Sequence, residues 1–236
     1  MDKAILKEIN LHKDPLKAKL LAGYFKTGKG QYGFGDVFLG LTVPLSRSIA
    51  SKYKNISLQE INFLIKNKAH EVRLIALFIL MYKYKNGPQN EKKKIVKFYL
   101  KNTKFINNWD LVDLSAHKIL GDYLCNFSPS PGDGETLLKL ARSKNLWEQR
   151  MAIISTFAFI SKGNMEWSIK IAKMFLGHDH DLIHKASGWV LREVGKKDMK
   201  TLRKFLEKNI SCMPRTMLRY AIEKFPEKIR KEYLKK

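Results

Sequence analysis

The segment His70–Tyr84 (HEVRLIALFILMYKY) decides the fold class of this 236-residue chain. Its apolar side chains fall almost all round a helix rather than on one face, and they are Val72, Leu74, Ile75, Leu77, Phe78, Ile79 and Met81. A helix without a continuous polar face is stable in water only when other elements cover it on several sides. The segment therefore predicts a buried helix that is packed between its neighbours.

Helix start and stop signals surround this segment on both sides. Asp14 precedes a proline, which suits the first turn of a helix, and Ser57 with Glu60 forms a capping box. Gly87-Pro88 ends the buried helix. The other predicted helices run from Pro15 to about Phe25, from Pro44, after Ser57, from Glu91 to Leu100, after the Trp109 stretch through Leu124, and then over Glu135–Ala141, Leu146–Ile160, Met165–Phe175, Leu182–Val194, Met199–Glu207, Pro214–Lys224 and Pro226–Leu234. Because no convincing pair of alternating strands occurs, the predicted fold class is all-α.

The spacing of the predicted helices indicates a repeat architecture. Helix pairs recur at roughly forty-residue intervals, which is typical of helical-repeat solenoids. A solenoid of this kind curves and offers a concave groove, and residues 1–236 are expected to form one such domain. A loop rich in proline and glycine, Ser128–Gly134, interrupts the helices.

The charge balance indicates a polyanionic partner. The chain has 45 Lys and Arg residues against 22 Asp and Glu residues, with a formal net charge of +23 and a sequence pI near 9.9. Neutralisation of phosphates with release of counterions supplies most of the affinity of proteins for nucleic acids. A basic concave groove would suit a duplex. The alternative is a generally lysine-rich composition, since many lysines are scattered, as in Lys92-Lys93-Lys94.

Cysteine usage and hydropathy favour an intracellular protein without a membrane span. Cys125 and Cys212 do not make a disulfide framework, and no CxxC pair suggests zinc. No stretch of 18 or more apolar residues occurs, and the first ten residues include charged side chains rather than an apolar signal-peptide core. We expect a reducing compartment, in the cytoplasm or nucleoid.

Two further motifs are better interpreted as structure than as chemistry. Gly28–Gly33 has the spacing G-x-G-x-x-G, but it follows an amphipathic helix and lacks the strand–turn–helix context of a dinucleotide site. We therefore expect no nucleotide cofactor, and the loop is better interpreted as a flexible, basic connector that could approach a phosphate backbone. His178, His180 and His184 include an i, i+4 pair, yet no further ligand is evident. The favoured interpretation is a polar turn in which Asp179 or Asp181 caps the next helix, with no metal.

Asn107–Asp113 holds a tryptophan and two carboxylates inside this basic chain. On a helix Trp109 and Asp113 share one face. An indole beside a carboxylate can stabilise a cation, but a buried tryptophan with aspartates as helix caps explains the local pattern equally well. Gly188 inside a helix next to Trp189 predicts close approach of another group, because glycine there costs about 1 kcal/mol relative to alanine.

Five blocks taken together, in this order, resemble the AlkD-type DNA alkylation repair glycosylases. They are Tyr32–Gly40 with Pro44, Asn108–Asp113, Trp147–Arg150, Gly188–Glu193 and Met213–Ala221. The resemblance extends over almost the whole chain. It implies a right-handed curve of HEAT-like helical repeats with a basic concave face, which agrees with the solenoid predicted from helix spacing.

The resemblance also implies roles for individual residues. Asp113 would be the catalytic carboxylate, with Trp109 and Trp189 as aromatic walls around the sugar of the damaged nucleotide. Arg150 and Arg192 match positions that face DNA, and Tyr24 matches, less closely, an aromatic near the duplex. For Arg150 the alternative is an ordinary ion pair with Glu148 or another acid. For Trp189 the alternative is a core position. Asp110 is expected to be structural.

The implied reaction is hydrolysis of the N-glycosidic bond of N3- or N7-alkylated purines in double-stranded DNA. The family works without flipping the lesion into a protein pocket, and we expect a monomer that needs no cofactor. A carboxylate at Asp113 would stabilise positive charge on the sugar. The alternatives are a non-catalytic HEAT-like module that binds nucleic acid, and a protein-interaction scaffold, which would not explain the charge.

Overall fold

The computed structural model describes residues 2–127 and 133–235. In that part of the chain most helices are joined by short turns, α2 and α3 are joined by the longer loop 25–42, and no strand occurs beyond an isolated parallel bridge between Val37 and Ala69. The prediction of an all-α fold is confirmed. The predicted loop Ser128–Gly134 lies outside the described residues at positions 128–132, and its last two residues belong to a helix.

The helices closely follow the predicted ones. The α-helices are α1 Asp2–Leu11, α2 Pro15–Tyr24, α3 Val43–Lys52, α4 Leu58–Ile65, α5 His70–Asn86, α6 Gln89–Lys101, α7 Trp109–Ala116, α8 Asp122–Asn126, α9 Asp133–Ala141, α10 Leu146–Ser155, α11 Phe157–Ser161, α12 Glu166–Met174, α13 Asp181–Lys197, α14 Met199–Asn209, α15 Arg215–Ala221 and α16 Glu227–Lys235. Short 3₁₀ turns occupy Thr103–Phe105 and Ile210–Cys212, and a π-helical turn occupies His117–Gly121.

The predicted caps are present. The Asp14 carboxylate accepts a hydrogen bond of 2.9 Å from the backbone N–H of Lys17 at the start of α2. Ser57 and Glu60 bond each other's backbone N–H groups at 3.2 and 2.7 Å, which completes the capping box of α4. These side chains satisfy N–H groups that lack partners inside the helix. Helix α1 was not predicted.

Two predicted helices are interrupted in the structure. The helix predicted after the Trp109 stretch through Leu124 changes to a π turn at His117–Gly121, where a Cβ on Gly121 would lie 2.2 Å from the carbonyl oxygen of Ser155. The segment predicted over Leu146–Ile160 divides at Thr156, whose hydroxyl donates to the Ile153 carbonyl at 2.7 Å. A threonine that bonds the preceding turn competes with the regular helical ladder, so α10 ends there.

The chain forms two compact units, Met1–Ser115 and Ala116–Lys236, with the boundary in the last turn of α7. In the first unit α5 packs against α3, α4 and α6, and its first eleven residues are all buried. The predicted burial of His70–Tyr84 on several sides is thus confirmed. That residues 1–236 act as one domain stays a prediction.

In the second unit α13 packs against α10, α12, α14 and α15. Gly188 allows the approach of α15, since a Cβ there would lie 2.5 Å from both the Met217 carbonyl oxygen and the Tyr220 Cβ. The prediction of a close approach at Gly188 is confirmed. In both units helices that follow each other in sequence pack together, which is the arrangement of a helical-repeat protein. The basic concave groove stays a prediction.

Candidate active site

Helix α7 carries Trp109 and Asp113 on its less buried side. Both side chains are partly exposed, whereas Leu111 and Val112 are completely buried. Residues four apart lie one above the other on a helix, so α7 presents the indole and the carboxylate together. The buried acid of the segment is Asp110, which is 8% exposed. The core-and-cap interpretation therefore describes Asp110 better than Asp113.

The start of α7 is held by local hydrogen bonds. The side-chain oxygen of Asn108 accepts from the Trp109 N–H at 2.8 Å, and Asp110 Oδ1 accepts from the Leu111 N–H at 2.8 Å. Asn108 Nδ2 also donates to Asp36 Oδ2 at 3.2 Å. These bonds satisfy N–H groups of the first helical turn. The structural role predicted for Asp110 is confirmed.

Trp109 belongs to a column of aromatic rings. Its indole stacks on Phe25 with centroids 5.2 Å apart and planes at 19°, and Phe25 stacks on Phe38 at 4.9 Å and 18°. Phe38 in turn stacks on the His70 imidazole at 4.6 Å and 22°. Tyr24, which is 65% exposed, meets Trp109 edge to face at 6.0 Å. The column fixes the orientation of the indole from inside the unit.

A buried ionic cluster lies at the inner end of this column. His70 Nδ1 bonds Asp36 Oδ2 at 3.0 Å, and His70 Nε2 bonds Asp110 Oδ2 at 2.8 Å. Arg73 pairs with Asp36 and also donates to the carbonyls of Asn67 and Lys68 at 3.0 and 2.9 Å. All four charged side chains are buried. That these four residues lie together was not predicted from the sequence.

Protonation of His70 balances the charges in the cluster. Burial by itself would lower the pKa of His70, but the hydrogen bonds that the ring donates to Asp110 and Asp36, with the negative charges of these carboxylates, raise that pKa to about 9. Burial likewise opposes ionisation of Asp36, yet the hydrogen bond from His70 and the charge of Arg73 lower the pKa of Asp36 below its ordinary value. Two anions therefore face two cations at neutral pH.

The loop that supplies Asp36 and Phe38 is fixed by Glu71. This buried carboxylate accepts hydrogen bonds from the backbone N–H groups of Leu39, Gly40 and Leu41 at 2.8 to 3.2 Å. Gly40 has a φ of +88°, and a Cβ there would lie 2.2 Å from the Asp14 carbonyl oxygen, so no larger residue fits. The residues behind α7 are thus held by buried contacts on α5.

The inner face of α7 packs on Tyr99. The Tyr99 Oη and Ser115 Oγ lie 2.8 Å apart, and Ser115 Oγ donates to the Leu111 carbonyl at 2.5 Å. Burial raises the pKa of the Tyr99 phenol, the hydrogen bond to Ser115 lowers it, and the negative charge of Asp113 adds to the rise. The Asp113 charge is therefore close enough to act on this buried ring.

The predicted site residues of the second unit contact other protein groups. Arg150 is 5% exposed and donates from Nη1 to the Leu182 carbonyl. Arg192, whose side chain is 17% exposed, bonds Glu193 at 3.3 Å and pairs with Glu223. Trp189 is partly exposed and packs against Phe157 with centroids 4.8 Å apart. The DNA-facing roles of both arginines and the role of Trp189 stay predictions.

The histidine cluster caps α13 in a way that was not predicted. His180 Nδ1 accepts from the Leu182 N–H at 3.1 Å, so His180 is the N-cap, and the prediction that Asp179 or Asp181 has this role is wrong. An imidazole nitrogen reaches the second helical N–H as a carboxylate would, while Asp181 pairs with Lys185 at 2.7 Å. Burial lowers the pKa of His178 and of His180, which favours their neutral forms. Within residues 2–127 and 133–235, no group of three potential ligands is arranged to hold a metal ion.

The glycine-rich loop is held close to the helix that precedes it, and its approach to a phosphate backbone stays a prediction. Gly33 donates from its N–H to the Lys26 carbonyl at 3.1 Å, and a Cβ on Gly33 would lie 2.4 Å from the Phe25 carbonyl oxygen. The loop therefore folds back tightly on the end of α2, and it is not part of a strand–turn–helix unit.

Over the described part of the chain, no helix combines the length and the apolar character needed to cross a membrane.

Together these features define a basic helical-repeat protein in which α7 presents an indole and a carboxylate from a rigid buried support. The chain belongs to the DNA alkylation repair enzyme family, whose sequence model matches residues 5–225. This membership confirms the resemblance and identifies DNA alkylation repair as the process that the family serves.

A solved structure shows a similar fold. It is described as a predicted DNA alkylation repair enzyme from Enterococcus faecalis, and it is 17% identical in sequence with a TM-score of 0.69. The match covers 91% of this chain and 97% of that chain. At this identity the similarity supports the fold alone. No curated protein matches the chain significantly.

Proposed function

We propose that this protein is a monofunctional DNA glycosylase that hydrolyses the N-glycosidic bond of cationic N3- and N7-alkylated purines in duplex DNA. The observation that carries the proposal is the partly exposed Trp109/Asp113 pair on α7, held from behind by buried contacts in a protein of the DNA alkylation repair enzyme family. A partly exposed carboxylate on a rigid helix suits the stabilisation of charge better than it suits a core.

The proposed chemistry follows from the substrate's charge. An alkylated purine is already cationic, so its departure needs no strong general acid, and the sugar develops oxocarbenium character as the bond breaks. The Asp113 carboxylate would stabilise that charge and orient a water molecule toward the sugar carbon. The electron-rich face of Trp109 would favour the same cation. The bond to the base breaks and its electron pair stays on the base, which leaves as the neutral alkylated purine. Water supplies the new C–O bond, and the proton that this water loses passes by way of the Asp113 carboxylate to solvent.

Binding of the duplex would depend on the excess of positive charge. The formal net charge of +23 favours a polyanion irrespective of its sequence. Tyr24, edge to face with Trp109 and largely exposed, is proposed to lie near the duplex. Trp189, Arg150 and Arg192 belong to the second unit, and their part in the proposal rests on the family resemblance. We also propose an intracellular monomer that works without cofactor and without flipping the lesion.

The test is excision from duplexes that contain one N7-methylguanine or N3-methyladenine, with enzyme in excess over DNA. The expected result is release of the free base, leaving an abasic strand that breaks only after treatment with alkali. Strand cleavage without alkali would contradict a monofunctional hydrolase. Tight binding of the duplex without any release would favour a non-catalytic HEAT-like binding module instead.

A further inference from the structure

The aromatic column and the ionic cluster of the first unit close into one ring of contacts. From Trp109 the stack passes through Phe25 and Phe38 to His70, with neighbouring planes within 22° of parallel. From His70 a hydrogen bond of 2.8 Å reaches Asp110, which is next to Trp109 in the chain. His70 is the member in which the stacked contacts and the hydrogen-bonded contacts meet.

The position of His70 suits it to hold neighbouring residues in place rather than to react with DNA. It is 2% exposed, so it does not meet a DNA strand directly. Its second nitrogen bonds Asp36, which in turn accepts from Asn108, the residue that caps the Trp109 N–H. His70 therefore holds the start of α7 at two points, through Asp110 directly and through Asp36 and Asn108.

We propose that His70 is a positioning residue of this site: bonded to Asp36 and Asp110 and stacked on Phe38, it fixes the orientation of Trp109 and the placement of Asp113 on α7. Its part in excision rests on the function proposed above. A small rotation at the start of a helix is carried to a residue one turn later, and displacement of a catalytic group by about 1 Å can cost roughly a hundredfold in rate.

The charge on the imidazole makes this positioning sensitive to pH. The charged groups that face His70 are Asp36 from the loop before α3, Asp110 from α7, and Arg73 one turn later on α5, across Asp36. Glu71 is adjacent in sequence but bonds the backbone of residues 39–41. Loss of the proton leaves two carboxylates facing one arginine, and one imidazole nitrogen can then no longer donate to its carboxylate.

The experiment compares the wild type with His70→Gln and with the matched control His12→Gln, which makes the same change at an exposed position. The first measurement is a carbon-bound ring resonance of the Trp109 indole, which does not exchange with water, assigned with Trp109→Phe and followed from about pH 6 to about pH 10. In the wild type and the control, the resonance is expected to shift with a midpoint near 9. In His70→Gln this shift is expected to be absent.

The second measurement is excision under single-turnover conditions together with duplex affinity. His70→Gln is expected to lower the rate by at least about tenfold, with affinity within about threefold of the wild type. The wild-type rate should fall as the pH rises through about 9, and the small remaining rate of His70→Gln should lack that step. A folded His70→Gln protein with the wild-type Trp109 titration and the wild-type rate overturns the proposal.

Failure of the glycosylase function is distinguishable from failure of the positioning role. If the wild type releases no base, the proposed function fails, and the Trp109 titration alone decides whether His70 positions the indole. If His70→Gln does not fold, Asp110→Asn replaces it, because this change removes only one partner charge. It is expected to move the midpoint of the Trp109 shift down from about 9, and an unchanged midpoint overturns the proposal.

Discussion

The pH dependence of stability offers a quantitative test of the buried cluster around His70. A histidine whose pKa is higher in the folded protein than in the unfolded chain binds its proton more tightly when folded. Its contribution is fully present below the unfolded pKa of about 6.5 and is lost as the pH rises through the folded pKa of about 9. At about 1.4 kcal/mol per pH unit, this difference corresponds to about 3 kcal/mol in the free energy of unfolding.

Urea denaturation of the wild type and of His70→Gln at about pH 6 and about pH 10 measures this contribution. Groups that titrate elsewhere, including the many lysines, affect both proteins and cancel in the comparison. Between these two pH values the free energy of unfolding of the wild type is expected to fall by about 3 kcal/mol more than that of His70→Gln. Equal losses in the two proteins would refute the assignment of a buried, protonated imidazole between Asp36 and Asp110.

Three other expectations concern backbone packing, DNA contact and metals. Gly188→Ala should destabilise the protein by about 1–3 kcal/mol, because the new Cβ meets a backbone oxygen 2.5 Å away. The control Gly23→Ala, with open space around it, should be neutral or stabilising by up to about 1 kcal/mol. Thermal unfolding distinguishes the two variants, and equal shifts in their melting temperatures would contradict the packing of α13 on α15. Arg150→Ala should weaken binding to any duplex and flatten the slope of log affinity against log salt by about one. It should also cost about 1–3 kcal/mol of stability, because it removes the buried hydrogen bond that the guanidinium donates to the Leu182 carbonyl. An unchanged slope would remove Arg150 from the phosphate contacts. Excision should persist in EDTA, and activity that chelation abolishes and added zinc restores would argue against a carboxylate-only mechanism.

The fold followed from the sequence where the signals were local. The capping box of Ser57 and Glu60, the Asp14-Pro15 start and the apolar segment around His70–Tyr84 each act within one or two helical turns, so residue spacing alone identified them. The breaks at His117–Gly121 and at Thr156 depend on tertiary packing or on a hydroxyl that competes with the helix, and spacing does not show either.

The site was predictable only in part, for the same reason. Trp109 and Asp113 are four residues apart on one helix, so their pairing was visible. His70 bonds carboxylates 34 and 40 residues away in the chain, and no sequence pattern connects them. Arg150 illustrates the opposite error, in which the sequence suggests a contact that the fold makes less accessible. An arginine near a helix start looks available for phosphate, but its burial against Leu182 is visible only in the structure.

The excision rate of Asp113→Asn is the most direct test of the central claim that the Asp113 carboxylate drives glycosidic cleavage. At saturating enzyme, the rate of N7-methylguanine release is expected to fall by at least about a hundredfold, with duplex affinity within about threefold of the wild type. The control Asp179→Asn, at an exposed carboxylate, should keep the wild-type rate. An Asp113→Asn protein that releases the base at the wild-type rate per bound complex would contradict the claim.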